Sequence, residues 1–215
     1  MNKNISNLHL DIIDNKRQEL LHKLVPFTKD FVLGGGTALA LQLHHRESYD
    51  FDFFSTKSIP GNLLEKISKV ISVKNIAVDS PDELTFFTIE NIKITFLCYP
   101  FKDLHAYQEL DEGLRLFSIK DIAIKKAYTI GRRGEYRDYF DLYMILKNNY
   151  ITLSELITDA KRIYGSVFEE KIFLQQLVYF DDLLHFEIIP LDKASIPAPE
   201  DIKHFFEKLV NEYTK

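Results

Sequence analysis

An apolar run that stops at three consecutive glycines, followed closely by an alternating acidic and aromatic segment, leaves this chain few ways to fold. The stretch reads Phe31-Val-Leu-Gly-Gly-Gly-Thr37-Ala-Leu-Ala-Leu-Gln-Leu-His44-His45-Arg46-Glu47-Ser48-Tyr49-Asp50-Phe51-Asp52-Phe53-Phe54-Ser55. Residues 31–34 predict a strand, and the Ala- and Leu-rich residues 37–45 predict a short helix because they lose little rotamer freedom there. Residues 49–55 predict a second strand, in which Asp50 and Asp52 point to the same side while the phenylalanines supply apolar packing.

Two carboxylates at that spacing repel each other unless a cation lies between them. Hard oxygen donors suit Mg²⁺ or Mn²⁺, held by one or two carboxylates and completed by substrate phosphates. The glycine turn supplies a complementary feature. Gly35 and Gly36 let backbone N–H groups approach an anion, and the start of the following helix adds partial positive charge. Together these features point to nucleoside triphosphate chemistry, with Asp50 and Asp52 on the metal and Gly35, Gly36 and the Thr37 hydroxyl on the phosphates. Arg46 is placed to hold Asp50 or a phosphate. His44 and His45 read as residues that end a helix rather than as ligands.

The order of these residues resembles the signature of the DNA polymerase beta-like nucleotidyltransferase superfamily. Gly35-Gly36-Thr37-Ala38-Leu39-Ala40-Leu41 and His45-Arg46-x-Ser48-x-Asp50-x-Asp52-Phe53-Phe54 are similar to the first motif of the AbiEii/AbiGii toxin family. A later block, Asp121-Ile122-Ala123-x-x-Lys126-Ala127 and then Arg137-Asp138-Tyr139-Phe140-Asp141-Leu142-Tyr143, resembles that family's lysine and aspartate motifs. The resemblance implies an NTP substrate and nucleotide binding by Gly35, Gly36, Thr37, Arg46, Ser48 and Lys126. It also implies catalytic roles for Asp50, Asp52, Lys126 and Asp141, with Asp141 positioning or deprotonating the acceptor hydroxyl. Asp138 and Arg137 are second candidates. An RNA or protein acceptor, a cognate antitoxin and a place in toxin–antitoxin or abortive-infection phage defence follow from the same resemblance. The chain departs from the superfamily on the strand Asn91–Tyr99, where Lys93, Thr95 and Leu97 share a face and none is acidic. Two alternatives stay open, the first of them because of that departure. One is a weakened relative that only binds a nucleotide or partner, and the other is a phosphoryl transferase acting on a protein.

Lys126 is expected on an apolar helical face with Ile119, Ile122, Ala123, Ala127 and Ile130, where a lysine needs a partner or an edge from which to snorkel. A triphosphate would satisfy it. Lys125, four residues after Asp121, reads as half of a solvated surface pair. Asp138 and Asp141 share a face with Leu142 and Ile145, and Arg137 offers Asp141 a partner at i+4.

The expected fold is α+β: a nucleotidyltransferase-like mixed sheet with flanking helices in residues 1–117 and a mainly helical lobe in residues 118–215. The elements predicted around the motif are helices at 5–24 and 61–72 and strands at 73–79, 84–90 and 92–99. Helices at 119–130, 137–148, 153–164, 168–180 and 200–213 would form the lobe, and Glu187–Pro199 is the most linker-like segment. A hydrophobic share of 46%, with 17 Phe and 11 Tyr, excludes a disordered chain. The single cysteine, Cys98, rules out a disulfide within the chain and agrees with a reducing compartment. No apolar run reaches membrane-spanning length and the first residues carry no signal-like core, so a cytoplasmic location without membrane contact is expected. A net charge of −5 argues against a generally basic surface, although residues 115–137 carry seven bases against two acids.

Overall fold

The structure is a computed structural model that describes residues 8–110, 113–191 and 196–215. The described residues divide into two compact units, one within 8–102 and 106–118, the other within 103–105 and 119–215.

The first unit is built on one mixed sheet of seven strands among the described residues, in the order β3-β4-β5-β2-β1-β7-β6. These are β1 (Val32–Gly34), β2 (Phe51–Ser55), β3 (Val73–Asp79), β4 (Glu83–Thr88), β5 (Lys93–Cys98), β6 (Gln108–Glu109) and β7 (Arg115–Leu116). β1 runs antiparallel to β2, with Gly34 opposite Asp52, and β2 runs parallel to β5, with Asp52 beside Thr95. Three helices accompany the sheet: α1 (Asn15–Leu24), α2 (Gly35–Leu43) and α3 (Leu63–Ser68). Thr37 to Gln42 are buried on every side of α2, as a helix that is apolar all round requires. Along β2 burial alternates, with Phe51, Phe53 and Ser55 buried and Asp52 and Phe54 partly exposed. Phe53 stacks on Phe96 at 5.0 Å, and Phe31 meets the same ring edge-on at 5.0 Å, which anchors β2 in the core.

The first helix is shorter than expected. Asp14 interrupts it, its carboxylate accepting from the Arg17 backbone N–H at 2.9 Å, so α1 starts at Asn15 after a short 3-10 turn at Leu10–Ile12. Residues 5–7 of the expected helix and residues 192–195 of the expected linker lie outside the described residues. β6 and β7 were not expected, because two residues are too few to show an alternation.

The second unit contains α4 (Ile119–Thr129), α5 (Tyr136–Lys147), α6 (Leu153–Tyr164), α7 (Glu170–Leu177) and α8 (Pro199–Tyr213). α4 packs on α5 and α6, and α8 on the same two helices. Ile122, Ala123, Leu142, Ile145, Leu156 and Phe206 fill this core. α6 opens with a reciprocal cap: Thr152 N–H donates to Glu155 at 2.9 Å and Glu155 N–H to Thr152 Oγ1 at 3.2 Å. The expectation of a solvated Asp121–Lys125 pair is corrected. Asp121 is fully buried and accepts from the backbone N–H groups of Leu104 (3.1 Å) and His105 (3.2 Å), while Lys125 pairs with Asp103 at 2.5 Å. The i,i+4 spacing was a poor guide here because a folded-back segment offered both residues better partners.

Candidate active site

The geometry begins at Gly35, the first residue of α2. Its φ of +66° lies in the left-handed region, and a Cβ there would fall 2.5 Å from Oδ2 of Asp52. Any side chain would displace the carboxylate. Gly36 follows the same logic: a Cβ would meet the Arg46 guanidinium and come within 3.1 Å of the Ser48 hydroxyl. Arg46 is only 5% exposed although it follows a helix end, and its Nη1 donates to the carbonyl of Glu47 at 2.9 Å. Thr37 shares a hydroxyl–hydroxyl bond of 2.9 Å with Ser48 and also hydrogen-bonds to the carbonyl of Asp50.

The first unit therefore brings Gly35, Gly36, Thr37, Arg46, Ser48, Asp50 and Asp52 together around one helix start. Asp50 is exposed and lies one residue before β2, so it is not part of the expected strand, whereas Asp52 is half-buried on it. The Asp52 carboxylate seated against Gly35, with Asp50 two residues before it, supplies oxygen donors of the kind that suit a hard divalent cation with phosphate oxygens as further ligands. The neighbouring strand offers no third acid, because Asp52 is level with Thr95 and residues 93–98 contain no carboxylate.

Arg17 belongs to this region and was not singled out from the sequence. Its Nε donates to the Tyr49 carbonyl at 3.3 Å, and its guanidinium lies 4.4 Å from the centre of the Tyr49 ring. α1 thereby props the residue just before Asp50. A contact across 32 positions leaves no local sequence signal.

The second unit holds the other residues singled out from the sequence. Lys126 lies on the inward face of α4, is 6% exposed and finds two counter-charges within its own unit. Its Nζ lies 2.6 Å from Asp138 Oδ1 and 2.7 Å from Asp141 Oδ2, and both aspartates are buried on α5. Burial alone would raise the Asp138 carboxyl's pKa, but the charges of Lys126 and Arg133 and their hydrogen bonds outweigh it and hold the group below its ordinary value. Arg133 contributes a two-pronged contact at 2.7 and 3.0 Å. The alternative of an Arg137–Asp141 pair at i+4 gives way to Lys126–Asp141, and Arg137 is exposed.

Comparison with known proteins places the chain in a family. Residues 19–214 match the profile of the family described as Nucleotidyl transferase AbiEii toxin, type IV toxin–antitoxin system. The chain belongs to the AbiEii nucleotidyltransferase toxin family. An uncharacterized protein of Aquifex aeolicus (strain VF5) is 31% identical over 207 residues, covering 94% of this chain and 97% of that one. The fold is also that of two Helicobacter pylori crystal structures, each 21% identical. One, provisionally assigned as a nucleotidyltransferase, has a TM-score of 0.56 over 93% of this chain and 95% of its own. The other, JHP933, has a TM-score of 0.55 over 95% and 92%. AbiEii membership makes the chain a nucleotidyltransferase and implies an antitoxin partner and an NTP substrate. No described helix of this AbiEii chain is long and apolar enough to cross a membrane.

Proposed function

We propose that this AbiEii protein transfers a nucleotide from an NTP to an RNA or protein acceptor, with Mg²⁺ or Mn²⁺ held by Asp50 and Asp52, in the cytoplasm and as the toxin of a phage-defence pair. The observation that carries this reading is the seat of Gly35 against the Asp52 carboxylate, with Arg46 and Ser48 at Gly36. Backbone N–H groups at the start of α2 and the Arg46 guanidinium would hold phosphate oxygens, and Thr37 ties Ser48 and the carbonyl of Asp50 to the helix start. A bound divalent ion supplies charge neutralisation at the phosphates. The chain's own part is alignment of the triphosphate for in-line displacement of pyrophosphate.

The resemblance carries Lys126 into triphosphate binding and Asp141 into acceptor positioning. The buried ion pair between them favours a different role for Asp141, that of holding and orienting the lysine rather than taking a proton. Asp138 shares that task from the other side. The domain division at residues 117/118 is part of the same proposal, with the glycine and DxD motif in the first domain and the lysine and aspartate motifs in the second.

A second reading, a relative that binds nucleotide without transferring it, is favoured by one observation: Thr95 stands beside Asp52 where an acid would complete a triad. Incubating the protein with total RNA and protein and with α- or γ-labelled NTP separates the readings. Covalent α-label supports nucleotidyl transfer, γ-label supports phosphoryl transfer, and binding without either supports the second reading.

A further inference from the structure

At the far end of α2 from its glycine turn, the chain assembles a group of a different chemistry. α2 closes at His44, whose backbone is left-handed (φ 51°, ψ 45°) and whose N–H bonds to the carbonyl of Ala40 at 2.8 Å. The segment before α1 is tied to the same place, His9 N–H donating to the carbonyl of Leu41 at 2.8 Å. The two imidazoles therefore lie 4.7 Å apart, centre to centre, tilted by 47°. Asp11 reaches both: Oδ2 is 3.3 Å from Nε2 of His44, and Oδ1 is 3.9 Å from Nδ1 of His9. One donor atom from each residue can be chosen so that all three lie within 4.8 Å of one another.

We infer that His9, Asp11 and His44 form a binding site for a borderline divalent transition-metal ion, Zn²⁺ being the best fit, distinct from the Asp50 and Asp52 site. The donor set carries the argument. Two imidazoles and one carboxylate match the ligands that zinc takes, whereas Mg²⁺ prefers oxygen throughout and gives up its water reluctantly. The spacing fits as well. Around a tetrahedral ion with bonds of about 2.0–2.2 Å, neighbouring donors stand about 3.3–3.5 Å apart. The His44–Asp11 separation already has that value through Oδ2, and rotation of the Asp11 carboxylate, whose side chain is 70% exposed, brings one oxygen toward His9 as well, which Oδ1 now faces at 3.9 Å. Water completes the shell.

The placement gives the ion a structural effect. It ties the segment ahead of α1 to the C-terminal end of α2, the helix whose first residues form the glycine turn and whose last residue leads into Arg46 and Ser48. A ligand that binds only the folded chain stabilises it in proportion to the logarithm of its concentration over its dissociation constant. The ion therefore steadies α2 without entering the transfer reaction.

The test uses the full chain stripped of metal with a chelator, titrated with Zn²⁺ by calorimetry and followed by thermal melting, with Co²⁺ absorption reporting coordination. The expected result is one Zn²⁺ per chain with micromolar or tighter affinity, and a melting temperature that rises with Zn²⁺ by the same amount when Mg²⁺ is already present. His9→Gln and His44→Asn, the latter chosen because asparagine tolerates a left-handed backbone, should each weaken binding by roughly tenfold or more and abolish the thermal shift. His204→Ala, at an exposed position on α8, should leave both unchanged. Asp52→Asn should keep the full Zn²⁺ stoichiometry, which separates this site from the acidic one. Failure of wild type to bind Zn²⁺ stoichiometrically, or equal binding by folded His9→Gln and His44→Asn proteins, overturns the proposal.

Discussion

Gly35 and Asp52 are so closely apposed that a Cβ on the glycine would fall 2.5 Å from the aspartate's Oδ2. The turn and the acid thus form a single unit although they lie on different elements. Gly35→Ala is expected to lower stability, by about 1–2 kcal/mol for the left-handed backbone alone, and to abolish metal-dependent NTP binding by pushing the carboxylate aside. Gly61→Ala, where a Cβ would meet nothing within 4 Å, should change stability by no more than about 0.5 kcal/mol. Thermal melts and NTP titrations of the two variants read both outcomes.

Thr37 joins the helix start to the loop that carries Ser48 and Asp50. Thr37→Val keeps the shape and removes the hydroxyl, so it should cost about 1–2 kcal/mol of stability and weaken NTP binding, while Thr37→Ser restores both. Equal NTP affinity for Thr37→Val and wild type would mean that the loop holds its position without this bond.

Lys126 stands between two buried carboxylates, so its removal is expected to be a stability event as much as a binding one. Lys126→Met should destabilise the protein by roughly 3–5 kcal/mol, because it leaves Asp138 and Asp141 uncompensated by the lysine. Asp138 also makes stability depend on pH. Its folded pKa lies below the ordinary 3.8, so its contribution is complete above that value and is lost as pH falls through the folded pKa. Urea unfolding measured at successive pH values should show that loss below about pH 3.8, and Arg133→Gln should make it shallower.

Much of this was legible in the sequence, for identifiable reasons. The alternation of Asp50, Phe51, Asp52 and Phe53 has the period of a strand, and the three glycines break an apolar run where a helix begins, so β2, the turn and α2 could be placed from local pattern. The same applies to β3, β4, β5 and the C-terminal helices. What local pattern could not show was partnership across the chain. Lys126 on an apolar stripe announced that it needed a counter-charge, but that the charge comes from α5 required the helices to be packed. Lys125 was misread for the same reason, since Asp103 outcompetes Asp121 only once the segment at 103–105 has folded back. Arg17 against Tyr49, and His9 and Asp11 against His44, are likewise products of tertiary structure.

Toxicity supplies a test in cells. Expression without an antitoxin should arrest bacterial growth, and Asp52→Asn at an equal protein level should relieve the arrest, because the proposed harm comes from turnover of NTP onto an acceptor. Persistent arrest by the variant would point to harm through binding contacts instead.

Whether Asp50 and Asp52 hold the metal for nucleotidyl transfer is read by covalent α-label incorporation by wild type and by Asp52→Asn across a range of Mg²⁺ concentrations, with circular dichroism confirming equal folding. Incorporation by wild type should depend on Mg²⁺ and fall roughly a hundredfold or more in the variant, in line with removing a group that stabilises transition-state charge. Incorporation by Asp52→Asn at the wild-type rate, with the same Mg²⁺ dependence, would contradict that assignment.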